Sequence, residues 1–314
     1  MKIMVTTFPF GSVNVLPIEM LENYNVYYND VGRKYTTKEL MDRLKSYQPE
    51  AIIAGTEKYS DEILDLIPNL KIISRVGIGL DSVPIEECQK RKIVVSYTPD
   101  APSNAVAELT ICQIFNMLRH TQICDNNLRN LKWDRFIGKE LRGCEVGIIG
   151  CGRIGTLIVD KMQGLKPRRI FVNDIIYSKA HGLPRSEYAS KAQILSTCDI
   201  ITIHIPYNEG NVNYISSEEL ELVKDDVILL NMSRGGIINE DSLYTFLQSH
   251  PDACAAVDTY NDEPYVGGFL KLKNVYLTPH LGSCTRKSRF DMEVGAAEAV
   301  IDFIHGRTLQ NQIV

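Results

Sequence analysis

The stretch Glu145-Val-Gly-Ile-Ile-Gly150-Cys-Gly152-Arg-Ile-Gly155 constrains this chain more than any other. A short run rich in Val and Ile enters a Gly-x-Gly-x-x-Gly turn, and a second apolar stretch, Thr156 to Met162, leaves it. That pattern predicts strand, tight turn and helix. Gly150 permits the turn, Gly152 lets the backbone approach a pyrophosphate, and Gly155 lets the new helix pack close to its strand. The amides at the start of that helix then face the anion. About 20 residues on, Arg169-Ile-Phe-Val-Asn-Asp174 reads as a second strand ending in an acid. Asp174 is expected to accept hydrogen bonds from the adenosine ribose, which favours NAD over NADP because a 2′-phosphate would meet a carboxylate.

Strand-like and helix-like segments alternate through most of the chain. Lys2–Thr6, Val26–Tyr28, Ala51–Ala54, Ile72–Val76 and Ile93–Ser96 are apolar runs of strand length, separated by helical patterns at Thr37–Tyr47, Ser60–Ile67 and Ser82–Lys92. Such alternation predicts a parallel sheet with helices on both faces. Tyr97-Thr98-Pro99-Asp100-Ala101-Pro102 breaks it and marks a crossover between domains. A single long helix is expected from Ser103 to Ile123, then a connection from Arg129 to Arg142 that holds the only tryptophan. That connection reads as an arm against a partner subunit or as a plain surface link. After Asp174, strands are expected at Ile200–Ile205, Val227–Met232, Ala253–Val257 and Val275–Thr278, with helices at Tyr188–Ser196, Ser217–Val223 and Asp241–Gln248. A final helix, Ser288 to His305, carries an apolar stripe of Phe290, Val294, Ala297, Ile301 and Ile304. It has no strand partner in the second half, so it is expected to return to the first domain. The expected division is 1–100 plus 285–314 for one domain and 101–284 for the other.

At 314 residues the chain has room for two cores. A net charge of −5 argues against a nucleic-acid partner or an anionic membrane surface. No apolar run approaches the roughly 20 residues of a membrane span. The eight cysteines are spread singly, without zinc spacing, so no metal is expected. With no signal-peptide pattern at Met1-Lys-Ile-Met-Val5, they read as reduced thiols of a cytoplasmic protein.

Four strands after the glycine turn end in Pro- or Gly-rich loops that hold His204, Arg234, Glu263 and His280. Arginine offers a fixed fork of donors to a carboxylate. Histidine exchanges a proton near neutral pH, and a nearby carboxylate orients it and favours its charged form. Beside a nicotinamide, such a set could interconvert an alcohol and a ketone flanked by a carboxylate. Each residue also has a plainer reading, as a solvated strand-end arginine, an acidic turn residue and a loop histidine. In the first half, the loops Gly55-Thr-Glu-Lys58 and Arg75-Val-Gly77-Ile-Gly79 follow strands, where open α/β sheets bind ligands.

The run of motifs resembles the D-isomer-specific 2-hydroxyacid dehydrogenase family, on its phosphoglycerate dehydrogenase branch. The matching pieces are Arg75-Val-Gly-Ile-Gly-Leu-Asp81, Ala105-Val-Ala-Glu108, Gly147 to Gly155, His204-Ile-Pro206, Asn231-Met-Ser-Arg-Gly-Gly236, Val257-Asp258 with Glu263-Pro264, and Thr278-Pro-His-Leu-Gly-Ser283. The resemblance implies a Rossmann-type domain inserted into a flavodoxin-like catalytic domain. By position it implies that Arg234 grips the substrate carboxylate and keto oxygen, that His280 is the general acid and base, and that Glu263 holds His280. It assigns Asp258 to the nicotinamide carboxamide, and Arg153, Ile154 and Asp174 to the pyrophosphate and ribose. The glycines 150, 152 and 155 belong to the same cofactor set, as do His204, Pro206, Met232, Ser233, Gly282 and Ser283. For the substrate it implies backbone amides at Val76-Gly77, with Lys58 and Arg75 as further anion contacts. An arginine that some members use for a substrate phosphate aligns with Ala54 or Gly55.

The expectation is therefore an NAD-dependent oxidoreductase acting on a small D-2-hydroxy or 2-oxo acid, as a homodimer. 3-Phosphoglycerate, glyoxylate or hydroxypyruvate, and D-lactate all stay open as substrates. An NAD-binding co-repressor-like scaffold is the alternative of a different class.

Overall fold

The computed structural model describes residues 1–314, which form two units: Met1–Pro102 with Ser283–Val314, and Ser103–Gly282. Unit 1 holds five parallel strands: β1 (Lys2–Val5), β2 (Asn25–Tyr28), β3 (Ala51–Ala54), β4 (Ile72–Arg75) and β5 (Val94–Tyr97). Their order is β2-β1-β3-β4-β5, the flavodoxin-like arrangement, which reverses direction between β1 and β3. β3 and β4 are buried at every position, as parallel strands covered on both faces should be. On one face Met4, Ile52 and Ile73 pack with Leu40 and Leu44 of the helix Thr37–Tyr47. Thr36 starts that helix with a capping box to Glu39.

The other face meets the helix Arg286–Ile304. Its buried side is not the expected stripe. Of those five residues only Ala297 is fully buried, and Met292, Glu293, Ala296 and Val300 take the inner positions instead. Two adjacent alanines let the helix lie close to the sheet. Glu293 is carried into the core because its charge is met there. Arg289 Nη2 lies 2.6 Å from Oε1, and the amide of Gly11 donates to Oε2 at 2.8 Å.

Unit 2 holds seven parallel strands: β6 (Glu145–Ile149), β7 (Arg169–Asn173), β8 (Glu187–Tyr188), β9 (Ile200–Ile203), β10 (Ile228–Asn231), β11 (Cys254–Val257) and β12 (Val275–Leu277). The order is β12-β11-β10-β9-β6-β7-β8. It reverses between β6 and β9, the doubly wound order whose switch point opens beside the first glycine turn. Two local expectations fail here. Glu187 and Tyr188 pair with Phe171 and Val172 as an edge strand, and the helix starts later, at Lys191, because Ser190 caps it through the amide of Gln193. The long helix after Ser103 stops at Arg119, where His120 takes φ +53°, and a second helix runs Thr121–Arg129. Beyond it Leu131, Trp133 and Ile137 are 95%, 81% and 99% exposed.

Candidate active site

The glycine turn of unit 2 is shaped by two close approaches that side chains would prevent. Gly150 has φ +95°, and a Cβ there would run into the carbonyl of His204 at the end of β9. A Cβ on Gly155 would overlap the carbonyl of Gly150, so the helix Arg153–Leu165 sits directly on its turn. Gly152 caps that helix, and a Cβ built on it meets nothing within 4 Å. An open flank at the start of a 13-residue helix, with Arg153 and Ile154 as its first residues, fits a dinucleotide pyrophosphate. At the end of β7, Asp174 turns its carboxylate to the same turn. Its Oδ2 accepts from the Cys151 amide at 2.8 Å, and its Oδ1 from that of Ile176 at 2.8 Å.

His204 follows β9 with its Nε2 2.7 Å from Thr202 Oγ1. Its Nδ1 is shut from solvent without a hydrogen-bond partner, and burial drives its pKa from 6.5 down to about 3. It is a neutral imidazole at pH 7. Ser233 Oγ donates to the Ile203 carbonyl at 2.6 Å and ties the end of β10 to that of β9. Met232 beside it is buried, whereas Pro206 is exposed. Ser283, also expected at the cofactor, falls in unit 1.

β10, β11 and β12 are neighbours, so the loops that hold Arg234, Glu263 and His280 leave adjacent strand ends. Asn231 shapes the first loop, donating from Nδ2 to the Arg234 carbonyl at 2.8 Å and accepting from the Ser233 amide at 3.2 Å. Gly235 then passes so close to the Tyr260 carbonyl and the Asn261 amide that no side chain fits. The Arg234 and Glu263 loops are thereby in backbone contact. Arg234 Nη1 donates to the Ser233 carbonyl at 2.7 Å.

Glu263 receives the Tyr260 amide on Oε1 at 3.2 Å. Both its oxygens face His280 Nδ1, at 3.0 and 3.1 Å. This holds Nδ1 as the donor and leaves proton exchange to Nε2. His280 adopts φ +54°, with its amide donating to the carbonyls of Asp258 and Thr278 at 2.9 and 3.0 Å. A left-handed histidine persists only where its surroundings hold it. The main clamp is Asp258, which is buried and accepts from Thr278 Oγ1 at 2.5 Å, the Leu281 amide at 2.7 Å and the Gly282 amide at 2.8 Å. Burial pushes its pKa up, against the pull of these hydrogen bonds. Tyr260 helps by donating to the carbonyls of Val257 and Thr278 at 2.9 and 3.0 Å, which bridges the ends of β11 and β12. The sequence reading missed this positioning role of Asp258 and Tyr260, and the only signal was their place in the turn before Glu263.

In unit 1 Lys58 is exposed on the loop after β3. Arg75 is buried at the end of β4, its guanidinium turned onto the Val76 carbonyl. The Val76 and Gly77 amides, expected to be open to a carboxylate, are engaged within the unit. Val76 donates to the Ala54 carbonyl at 2.9 Å, and Gly77 to Thr98 Oγ1 at 2.8 Å. The sheet pairing simply continues one residue past β4, and the threonine after β5 meets the next amide. Glu57, passed over in the sequence, is buried here at 3% exposure.

A doubly wound dinucleotide domain with an Arg, Glu and His set at its strand ends defines a nicotinamide-dependent dehydrogenase fold. The chain belongs to the D-isomer-specific 2-hydroxyacid dehydrogenase family, and residues 111–282 match that family's NAD binding domain. A glyoxylate reductase of Thermococcus litoralis is 32% identical over 268 residues, which are 82% of this chain and 81% of the relative. A D-3-phosphoglycerate dehydrogenase of Archaeoglobus fulgidus is 31% identical over 294 residues, 90% of this chain but 54% of that protein. The chain thus spans about half the length of that relative. Among solved structures, the TT0316 protein of Thermus thermophilus matches with a TM-score of 0.89 and 25% identity, covering 100% of both chains.

Proposed function

We propose that this chain is an NAD-dependent oxidoreductase that interconverts a small D-2-hydroxy acid and its 2-oxo acid. The observation that carries the reading is the Glu263 carboxylate set on His280 Nδ1 at 3.0 Å, next to the Arg234 loop. Bound NAD supplies or takes the hydride at C2. His280 Nε2 gives a proton to the carbonyl oxygen in reduction and takes it back in oxidation. Glu263 stabilises the imidazolium and holds the ring against rotation. Arg234 is the side chain suited to a carboxylate, as a permanent charge with a bidentate fork. In unit 1, Lys58, Arg75 and the turn at Val76-Gly77 take part in substrate binding. Of the two amides only that of Gly77, held now by Thr98 Oγ1 and not by the sheet, is placed to turn to a carboxylate.

The test is NADH consumption by the purified chain with glyoxylate, pyruvate, hydroxypyruvate, 3-phosphohydroxypyruvate and 2-oxoglutarate. Turnover of at least one is expected. Silence with all five, from protein that binds NADH, would remove the dehydrogenase reading.

Two further assignments belong to the same proposal. No two of the eight cysteines form a disulfide, which suits a reducing cytoplasm. No helix is long and apolar enough to cross a membrane. The exposed apolar residues Leu131, Trp133 and Ile137 suit burial against a second copy of the chain, and a homodimer is the assembly we assign.

A further inference from the structure

Two consecutive backbone amides in the loop after β11 are each taken by a glutamate. Glu263 Oε1 accepts from the Tyr260 amide at 3.2 Å, and the same carboxylate holds His280 Nδ1. Glu240 Oε1 accepts from the next amide, that of Asn261, at 2.7 Å. This second contact is short and joins residues 21 apart in the chain.

Glu240 owes its place to the Arg234 loop. That loop runs from the end of β10 into the helix Glu240–Ser249, which Asn239 caps through the amide of Ser242. Glu240 is thus the first residue of the helix that anchors one catalytic loop, and its side chain grips the other. The two loops meet at one peptide bond. Gly235 presses on the Tyr260 carbonyl and the Asn261 nitrogen, and Glu240 takes the hydrogen of that same nitrogen. A glycine contact gives closeness without direction. A hydrogen bond adds direction, since it weakens steeply as its angle closes. With that peptide plane fixed, the Tyr260 amide just before it meets Glu263, and Glu263 meets His280. All of these residues belong to unit 2.

The surroundings of Glu240 indicate that reach, not charge, keeps an acid here. Asp241 and Asp262 line the same cleft, with Tyr244, Tyr265 and Lys271. Three carboxylates beside one lysine leave an excess of negative charge. Burial pushes the pKa of Glu240 up, the Asn261 amide pulls against it, and Asp262 and Asp241 add to the rise. An acid in the first turn of a helix meets the dipole, but Asp241 in the same turn already does so.

We infer that Glu240 is a positioning residue for the reaction. By holding the Asn261 amide it sets the Glu263 loop against the Arg234 loop, so that His280 and Arg234 act on one substrate. The inference rests on the reading of the chain as a 2-hydroxyacid dehydrogenase, and it adds a residue that acts through Glu263 and not on the substrate.

Three substitutions separate reach from charge. Glu240→Gln keeps an oxygen at the same reach and removes the charge. Glu240→Asp keeps the charge and withdraws it by one methylene, and Glu240→Ala removes both. The readout is kcat and KM with NADH and the best of the five 2-oxo acids, with the melting temperature of each variant alongside. A displacement of about 1 Å at a catalytic centre can cost about 10² in rate. kcat should therefore fall about tenfold or more in Glu240→Ala and Glu240→Asp, with a smaller change in KM, and no more than about threefold in Glu240→Gln. A merely structural glutamate would lower the melting temperature and leave kcat of the folded enzyme where it was. Unchanged kcat in folded Glu240→Ala overturns the inference while leaving the dehydrogenase reading intact. So does a Glu240→Gln variant as slow as Glu240→Asp, because charge and not reach would then be at work. If Glu240→Ala does not fold, the comparison of Glu240→Asp with Glu240→Gln decides alone. Silence of the unaltered protein with every acid removes the dehydrogenase reading and this inference with it.

Discussion

His280 is held by two different acids. Glu263 meets the ring, and Asp258 holds the backbone that puts the ring in place. His280→Gln keeps the side-chain size but cannot exchange a proton, so turnover should fall about 10²–10⁴-fold with NADH binding retained. Near-full turnover would take His280 out of the chemistry. Asp174 sits at the end of β7 with its carboxylate on the Cys151 amide. NADH should therefore bind more tightly than NADPH, and Asp174→Ala should shrink the difference; titration of protein fluorescence with each cofactor measures both, and tighter NADPH binding by the unaltered protein would refute the assignment. His204 links to pH. Unfolded, it takes a proton near 6.5; folded, only near 3. Between those values the unfolded state binds the extra proton, so acidification costs stability. His204→Asn should flatten the fall of melting temperature across that window, and an unchanged slope would place the acid sensitivity elsewhere. These residues were legible because they are chemically distinctive and stand at strand ends marked by Pro and Gly. Glu57 was not, because an acid between Thr and Lys in a loop looks like any solvated residue. Only folding shows it turned inward onto Gly55.

Elements were legible to the degree that they depend on local pattern. Apart from the exposed edge strand β8, the strands of both sheets lie within a residue or two of their apolar runs, because a strand buried on both faces is a bare run of Val, Ile, Leu and Ala. The helix faces were less legible. In Arg286–Ile304 the inner side holds Glu293, which hydropathy alone would place outside. Its partners come from one turn back, at Arg289, and from Gly11, far away in sequence. Removing one member of such a pair leaves an uncompensated buried charge, so Glu293→Leu should destabilise the protein by about 3–5 kcal/mol. Chemical denaturation of the full chain measures it, and a loss below about 1 kcal/mol would show that Arg289 finds other compensation. Loop contacts were equally hidden. Gly235 reads as half of a Gly-Gly turn, yet it is the point where the Arg234 loop touches Tyr260 and Asn261. Gly235→Ala must push those loops apart, and a shift of about 1 Å in catalytic geometry can cost about 10² in rate. kcat/KM should fall on that scale, and more steeply than NADH affinity, because the glycine turn on β6 is untouched. Parallel losses in both would mean that the substitution disturbs the whole sheet.

At the scale of the whole molecule, the segment from Arg119 to Lys139 is the part the two cores do not explain. The helix that should have run on breaks at His120, and after the second helix the chain has no regular structure until the short turn at Leu141–Gly143. It is not random in composition. Leu128, Leu131, Trp133, Phe136 and Ile137 are all exposed within ten residues of sequence, from 128 to 137. The helix Thr121–Arg129 has no buried residue of its own. Scattered apolar residues on a surface need no explanation, but a cluster this dense does. The sequence showed the tryptophan without its exposure, so arm and surface link stood level there. Exposure favours the arm. A two-fold dimer repeats each contact, so two charges placed in the cluster act four times in one interface. Trp133→Glu with Ile137→Glu should therefore convert a dimer into a monomer in light scattering behind size exclusion. Both side chains are almost wholly solvated in the single chain, so the substitutions should leave the fold of each unit unchanged, with far-ultraviolet circular dichroism as the check. A double variant that still elutes as a dimer would move the interface to another face. An unaltered protein that is monomeric at micromolar concentration would reject the homodimer and leave the exposed cluster to a different partner.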